Sequence, residues 1–162
     1  MLPQATVLLI LLPLFGAGSA DSWQVPLASP AALVRPYLQP SSDYSAGHRG
    51  VDYRVSLAQP VFATTSGEIS FAGKLVNRSL VAIKHGASLI SEVEPVCTSL
   101  RVGDSVVAGQ LIGSVCQPDS SYTHCPTVRC LHFSVRSNGK YLSPLTFIGG
   151  LNPSRLFPYA LG

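Results

Sequence analysis

From Pro60 onward the chain is a succession of short apolar stretches, each broken by glycine, proline, aspartate or asparagine. Pro60-Val61-Phe62-Ala63 is followed by Gly67-Glu68-Ile69-Ser70-Phe71-Ala72, then by Leu80-Val81-Ala82-Ile83 and by Leu89 to Val93. Ser105-Val106-Val107, Gln110-Leu111-Ile112 and Leu131 to Val135 continue the series. Stretches of this length, rich in β-branched residues and bounded by turn formers, predict strands joined by tight connections. No window sustains an apolar period of 3.6 residues, and 14 Gly with 13 Pro leave little room for helix. The expected fold is therefore all-β, a compact antiparallel β-sandwich or barrel hybrid.

Ahead of this domain the pattern is different. Residues 21–39 are rich in proline and alanine without a period, and read as a lead-in over 21–35 ending in a strand near Leu33-Val34-Arg35. The domain itself is expected over 36–150, with a tail over 151–162. Thr6 to Phe15 is a continuous apolar run, too short to span a bilayer comfortably, and Gly16-Ala17-Gly18-Ser19-Ala20 supplies small residues suited to signal-peptidase cleavage after Ala20. Residues 1–20 are thus read as a signal peptide and the mature protein as secreted, with no membrane association after cleavage; retention of the run as an anchor is the alternative.

Composition narrows the function. Of 162 residues, 12% are charged and 46% hydrophobic, and the net charge of +3 is spread along the chain. No run of Lys and Arg could track a phosphate backbone, so nucleic acid is not an expected partner. Four cysteines in an exported chain suggest two disulfides, for which three connectivities exist. Cys97–Cys116 and Cys125–Cys130 are the favoured pairs; zinc ligation by the cysteines would want C-x-x-C spacing, which is absent.

The candidate chemistry centres on Gly47-His48-Arg49-Gly50-Val51-Asp52. Its glycines permit a tight turn, so that a loop could aim an imidazole and a carboxylate at one point. That pair suits a divalent metal but does not complete a site. Cys130-Leu131-His132 is the best source of a third ligand, since residues i and i+2 of a strand share a face.

Taken in order, GHRGVD, PVFATTSGEISFAG, LVAIKHG, VGDSVVAGQLIGSV and CLHFSVR resemble the lysostaphin-type zinc metallopeptidases, the LytM-like family, over about Pro36 to Leu145. The resemblance implies a small antiparallel β-fold with Zn2+ on the floor of a groove, held by His48, Asp52 and His132. It implies hydrolysis of peptide bonds in bacterial peptidoglycan, whose peptides would be the partner. The chain is further expected to be a monomer, located outside the cell or at its wall. Three protein ligands leave a fourth position for a water whose pKa zinc lowers to about 7.

Two features depart from the family pattern. Cys130 stands where the H-x-H strand carries a catalytic histidine, and Pro95 stands where a Tyr-x-His pattern supplies another. His124 is the expected replacement acid, base or oxyanion stabiliser, because a Cys125–Cys130 bridge would hold its loop near His132. Glu92 and Glu94 are weaker candidates, His85 reads as structural, Tyr44 and Tyr122 as packing residues and Asp119 as a turn residue. The rival reading is a non-catalytic domain that keeps the fold and zinc, and binds peptidoglycan or regulates another hydrolase.

Overall fold

A computed structural model describes residues 23–117 and 125–149. The N-terminal apolar run, Asp119, Tyr122, His124 and the C-terminal tail lie outside these residues. Eleven strands follow in chain order: β1 (Leu33–Arg35), β2 (Val51–Arg54), β3 (Pro60–Phe62), β4 (Gly67–Leu75), β5 (Arg78–His85), β6 (Leu89–Glu94), β7 (Val96–Cys97), β8 (Ser105–Val106), β9 (Leu111–Val115), β10 (Cys130–Ser137) and β11 (Lys140–Leu142). Among the described residues the helix content is a single 3-10 turn, Pro144–Thr146, and no helix is long and apolar enough to cross a membrane.

The larger sheet runs β1-β2-β10-β6-β5-β4-β8, with β11 paired to β10; the smaller runs β3-β9-β7. Every strand pair is antiparallel. This is the expected all-β antiparallel fold, in two sheets. Each expected apolar stretch lies on a strand, while β2, β7 and β11 had no such signal. The exception with consequences is β2, because it turns the last two residues of the presumed GHRGVD loop, Val51 and Asp52, into sheet.

Register explains how one sheet serves two purposes. Residues directly opposite in an antiparallel pair share a face. Val51, Phe133, Val93 and Val81 form one such row across β2, β10, β6 and β5. All four are buried, and with Ile69, Ile83, Leu131 and Val135 they pack the core together with Val61, Val96, Ile112 and Val115 of the smaller sheet. Phe133 and Leu131 are wholly inaccessible, each burial contributing about 1.5–3 kcal/mol. The alternate residues point the other way, and there the row reads Asp52, His132, Glu94. A second row on that face is Ser134, Glu92, Ala82.

The proline-rich segment ahead of the domain packs on it. Trp23 lies 4.6 Å from the His85 ring and 4.8 Å from Phe147, while β1 adds an outer strand to β2. Cys97–Cys116 ties β7 to the residue after β9, and Cys125–Cys130 ties the start of β10 to the preceding loop, which are the two pairings expected from the spacing.

Candidate metal centre

His48, Asp52 and His132 come together as the sequence led one to expect, but by a different local route. Asp52 is on β2, an interior strand of the larger sheet, directly opposite His132 on β10. His48 precedes the strand and is held by a backbone bridge to Leu38, with both N–H···O distances 2.9 Å. The two glycines of the hexapeptide are there for close approach rather than for positive φ. A Cβ at Gly50 would stand 2.5 Å from the His132 ring, and one at Gly47 would stand 2.8 Å from the Leu38 carbonyl.

The three side chains are buried, Asp52 completely. His48 Nδ1 lies 2.7 Å from the Pro36 carbonyl oxygen. A carbonyl can only accept, so Nδ1 carries the hydrogen, and in the neutral ring Nε2 presents its lone pair. That lone pair meets Asp52 Oδ2 at 3.1 Å and His132 Nδ1 at 3.3 Å. His132 Nδ1 is in turn 2.8 Å from Asp52 Oδ1. In its Nδ1–H tautomer His132 donates to Asp52 Oδ1; in the other tautomer three electron-pair donors face one small volume, a set that suits a metal cation. An uncompensated carboxylate in such a place would be costly.

The spacing fits a metal. Two zinc–nitrogen bonds of about 2.0–2.1 Å at the tetrahedral angle place their nitrogens about 3.3–3.4 Å apart. The observed separations of 3.3 Å and 3.1 Å are close to such edges. The Pro36 carbonyl then has the part that outer partners of ligating histidines commonly take, fixing tautomer and ring orientation.

Cys130 is in a disulfide, so it supplies neither a base nor, in that state, a ligand. Glu94 is the residue that register brings in. It is directly opposite His132 and nearly fully buried. Arg78 Nη1 donates to its Oε1 at 3.2 Å, while its Oε2 has no hydrogen-bond partner among the described residues. Glu92, one row away, has its carboxyl pushed up by burial first and by the neighbouring Glu94 charge second, against the pull of Arg136 and Arg78. Period-2 alternation from His132 could have pointed to Glu94 only if the pairing of β6 with β10 were known. Tyr44 is fully exposed in the loop before His48.

Comparison with known proteins places this geometry. The family model for peptidase family M23 matches residues 46–144. An uncharacterized protein of Mycobacterium tuberculosis (strain H37Rv) is 34% identical over 163 residues, covering 94% of this chain; the chain spans 63% of that relative's length. The murein hydrolase activator NlpD of Escherichia coli is 31% identical over 105 residues, which cover 63% of this chain and 26% of NlpD. Among solved structures, the antimicrobial peptidase lysostaphin from Staphylococcus simulans superposes with a TM-score of 0.64 at 23% identity, over 82% of this chain and 55% of that one. A zinc-containing peptidase from Vibrio cholerae gives 0.61 at 18% identity, over 75% and 38%. The matched segment begins just before His48 and ends beyond His132, so it takes in all three converging donors. This chain belongs to peptidase family M23.

Proposed function

We propose that the chain is an extracytoplasmic, zinc-dependent endopeptidase that hydrolyses peptide bonds in bacterial peptidoglycan. The observation that carries this reading is the convergence of His48 Nε2, Asp52 and His132 Nδ1, in which His48 Nε2 is 3.3 Å from His132 Nδ1 and 3.1 Å from Asp52 Oδ2, separations suited to one tetrahedral cation. Three donors from the protein leave a coordination position for water or substrate, the arrangement of catalytic rather than structural zinc. When bound, zinc supplies a Lewis acid for the scissile carbonyl and an acidified water.

The chain's own residues do the rest. The Pro36 carbonyl holds the Nδ1 hydrogen of His48, the β2–β10 register sets Asp52 opposite His132, and the absent side chain of Gly50 leaves room for the His132 ring. His124 is proposed to move the proton between the attacking water and the leaving amine. Glu94, with one oxygen unpaired among the described residues, is the second carboxylate in the row of Asp52 and His132. Two disulfides favour an oxidising compartment outside the cytoplasm, and the peptidoglycan-directed names of relatives such as NlpD support the substrate class.

A second reading has its own observation. The disulfide at Cys130 and the proline at position 95 remove both imidazoles expected beside the metal, and NlpD is named as an activator of murein hydrolases. On that reading the domain holds its cation but works by binding wall peptides or a hydrolase. Digestion of purified peptidoglycan with and without a chelator, followed by mass spectrometry of the released muropeptides, separates the two. Chelator-sensitive release of peptide fragments is expected. Wall binding without cleavage by the zinc-loaded protein would establish the regulator instead.

A further inference from the structure

The disulfide between Cys125 and Cys130 lies against the metal cluster rather than away from it. Cys125 Sγ is 3.6 Å from Asp52 Oδ2; with no thiol hydrogen in the oxidised form, this is a van der Waals contact. Cys130 is two residues from His132 on β10, opposite Arg54, so its sulfur is on the sheet face that carries Asp52 and His132. One carboxylate oxygen of Asp52 and the two sulfurs all lie within 4.8 Å of one another. Among the described residues, the other pair, Cys97 and Cys116, belongs to no such group.

We propose that the reduced chain has a second cation site, formed by the thiolates of Cys125 and Cys130 with the Asp52 carboxylate, for a thiophilic divalent cation such as zinc or cadmium. It shares Asp52 with the histidine site but neither requires nor predicts hydrolysis, so it stands or falls apart from the peptidase reading. The geometry is close to what such a site needs. A zinc–sulfur bond of about 2.3 Å and a zinc–oxygen bond of about 2.0 Å at the tetrahedral angle separate sulfur from oxygen by about 3.5 Å, against the 3.6 Å present. Two sulfurs on one zinc would stand about 3.8 Å apart, a distance open to them once they are no longer bonded.

The chemistry balances with a dithiol as reductant. Its two electrons break the Cys125–Cys130 bond, it closes to its own cyclic disulfide, and its two hydrogens pass to the two cysteine sulfurs. Each thiol then releases one proton to water as its sulfur binds the cation. Cys125 is partly exposed and Cys130 buried, so the incoming thiolate attacks Cys125. Sulfur donors select soft and borderline cations, and drawing on Asp52 takes one donor from the histidine site. A change of redox state thereby changes the donor set from nitrogen and oxygen to sulfur and oxygen.

The test uses the full chain with cobalt(II), whose bonds to thiolate give an intense charge-transfer band in the near ultraviolet. Reduction is by a carboxyethyl phosphine, which is oxidised to its oxide with oxygen from water. Oxidised protein with cobalt should lack the band. Reduced protein should develop it to saturation at one thiolate-bound cobalt per chain. Reduced Cys97→Ser/Cys116→Ser protein should keep it, and the reduced Cys125→Ser/Cys130→Ser protein should lose it completely. Should that double variant fail to show β-type circular dichroism, the single variants replace it, and each should lose more than half of the intensity. Absence of the band from reduced wild type, loss of β structure in the cobalt-loaded reduced wild type, or a band that survives in the Cys125 and Cys130 variants would overturn the proposal. Cobalt bound by oxidised protein without the band belongs to the histidine site and tests the other reading.

Discussion

Two buried histidine environments in this domain look alike by burial and differ in chemistry. His85 Nδ1 meets the Ser66 carbonyl at 2.8 Å, and Nε2 meets the Ser91 hydroxyl at 2.8 Å. The carbonyl takes a hydrogen, the hydroxyl can give one, and the neutral ring is fully matched by protein groups. His48 starts the same way, with Nδ1 on the Pro36 carbonyl, but its Nε2 faces a carboxylate oxygen and a second imidazole nitrogen. The first arrangement is complete with polypeptide alone. The second brings a carboxylate and two imidazole nitrogens to one point, a donor set that suits a cation. What separates a structural histidine from a ligating one is thus the donor or acceptor character of what faces its second nitrogen.

The largest effects should come from removing donors on one side of this comparison. His48→Ala, Asp52→Ala and His132→Ala should each lower bound zinc from one per chain to near none by elemental analysis, whereas His85→Ala and Cys130→Ser should leave the zinc of the histidine site unchanged. Zinc retained by the His132 variant and lost from the Cys130 one would invert the assignment. Gly50→Ala comes next. The added methyl must displace the His132 ring, and a misoriented ligand should weaken zinc binding by about 10–100-fold, the range for lost outer support, with about 1–3 kcal/mol of overpacking. Competition titration with a chromophoric chelator and thermal unfolding measure the two parts.

The other side of the comparison is read in stability. His85→Ala removes two hydrogen bonds and the ring under Trp23. It should cost roughly 2–4 kcal/mol in denaturant unfolding at constant zinc stoichiometry. The smallest effect is in pH. Burial pulls the His85 pKa below its ordinary 6.5, so the folded state disfavours the imidazolium. Its contribution is fully present above pH 6.5 and is lost as pH falls through the lower folded value. Wild type should therefore lose stability faster than His85→Gln as pH drops below 6.5, and the gap between them should narrow. Parallel stability curves for the two proteins would show that His85 is not held neutral.

Much of this was legible in the sequence, and for identifiable reasons. Short β-branched runs between turn residues gave away most strands, and the spacing of the cysteines indicated both bridges. His48 and Asp52 stood out as an imidazole and a carboxylate within one glycine-flanked hexapeptide, and the resemblance to the lysostaphin-type family added His132. Other parts were not legible. Asp52 sits in a strand because β2 pairs with β10, about eighty residues away, and no local pattern encodes that pairing. Pro36 contributes through a backbone carbonyl, which carries no side-chain signature. Gly50 was expected for its freedom of φ, yet it is needed for the space it leaves. Glu94 reads as one acidic residue among several until the register sets it opposite His132.

That register has a consequence for how the molecule checks its own assembly. Side chains alternate between the faces of β10, so a slip of one residue against β2 would bring Leu131 or Phe133 to the place of His132 and turn the histidine into the core. A slipped sheet could still collapse around apolar side chains, but it would present His48 and Asp52 with a hydrocarbon where a third donor should be. Cation binding therefore discriminates between correctly and incorrectly zipped sheets by a criterion that hydrophobic burial does not share. In this domain the proposed metal centre would double as a proofreader of strand alignment.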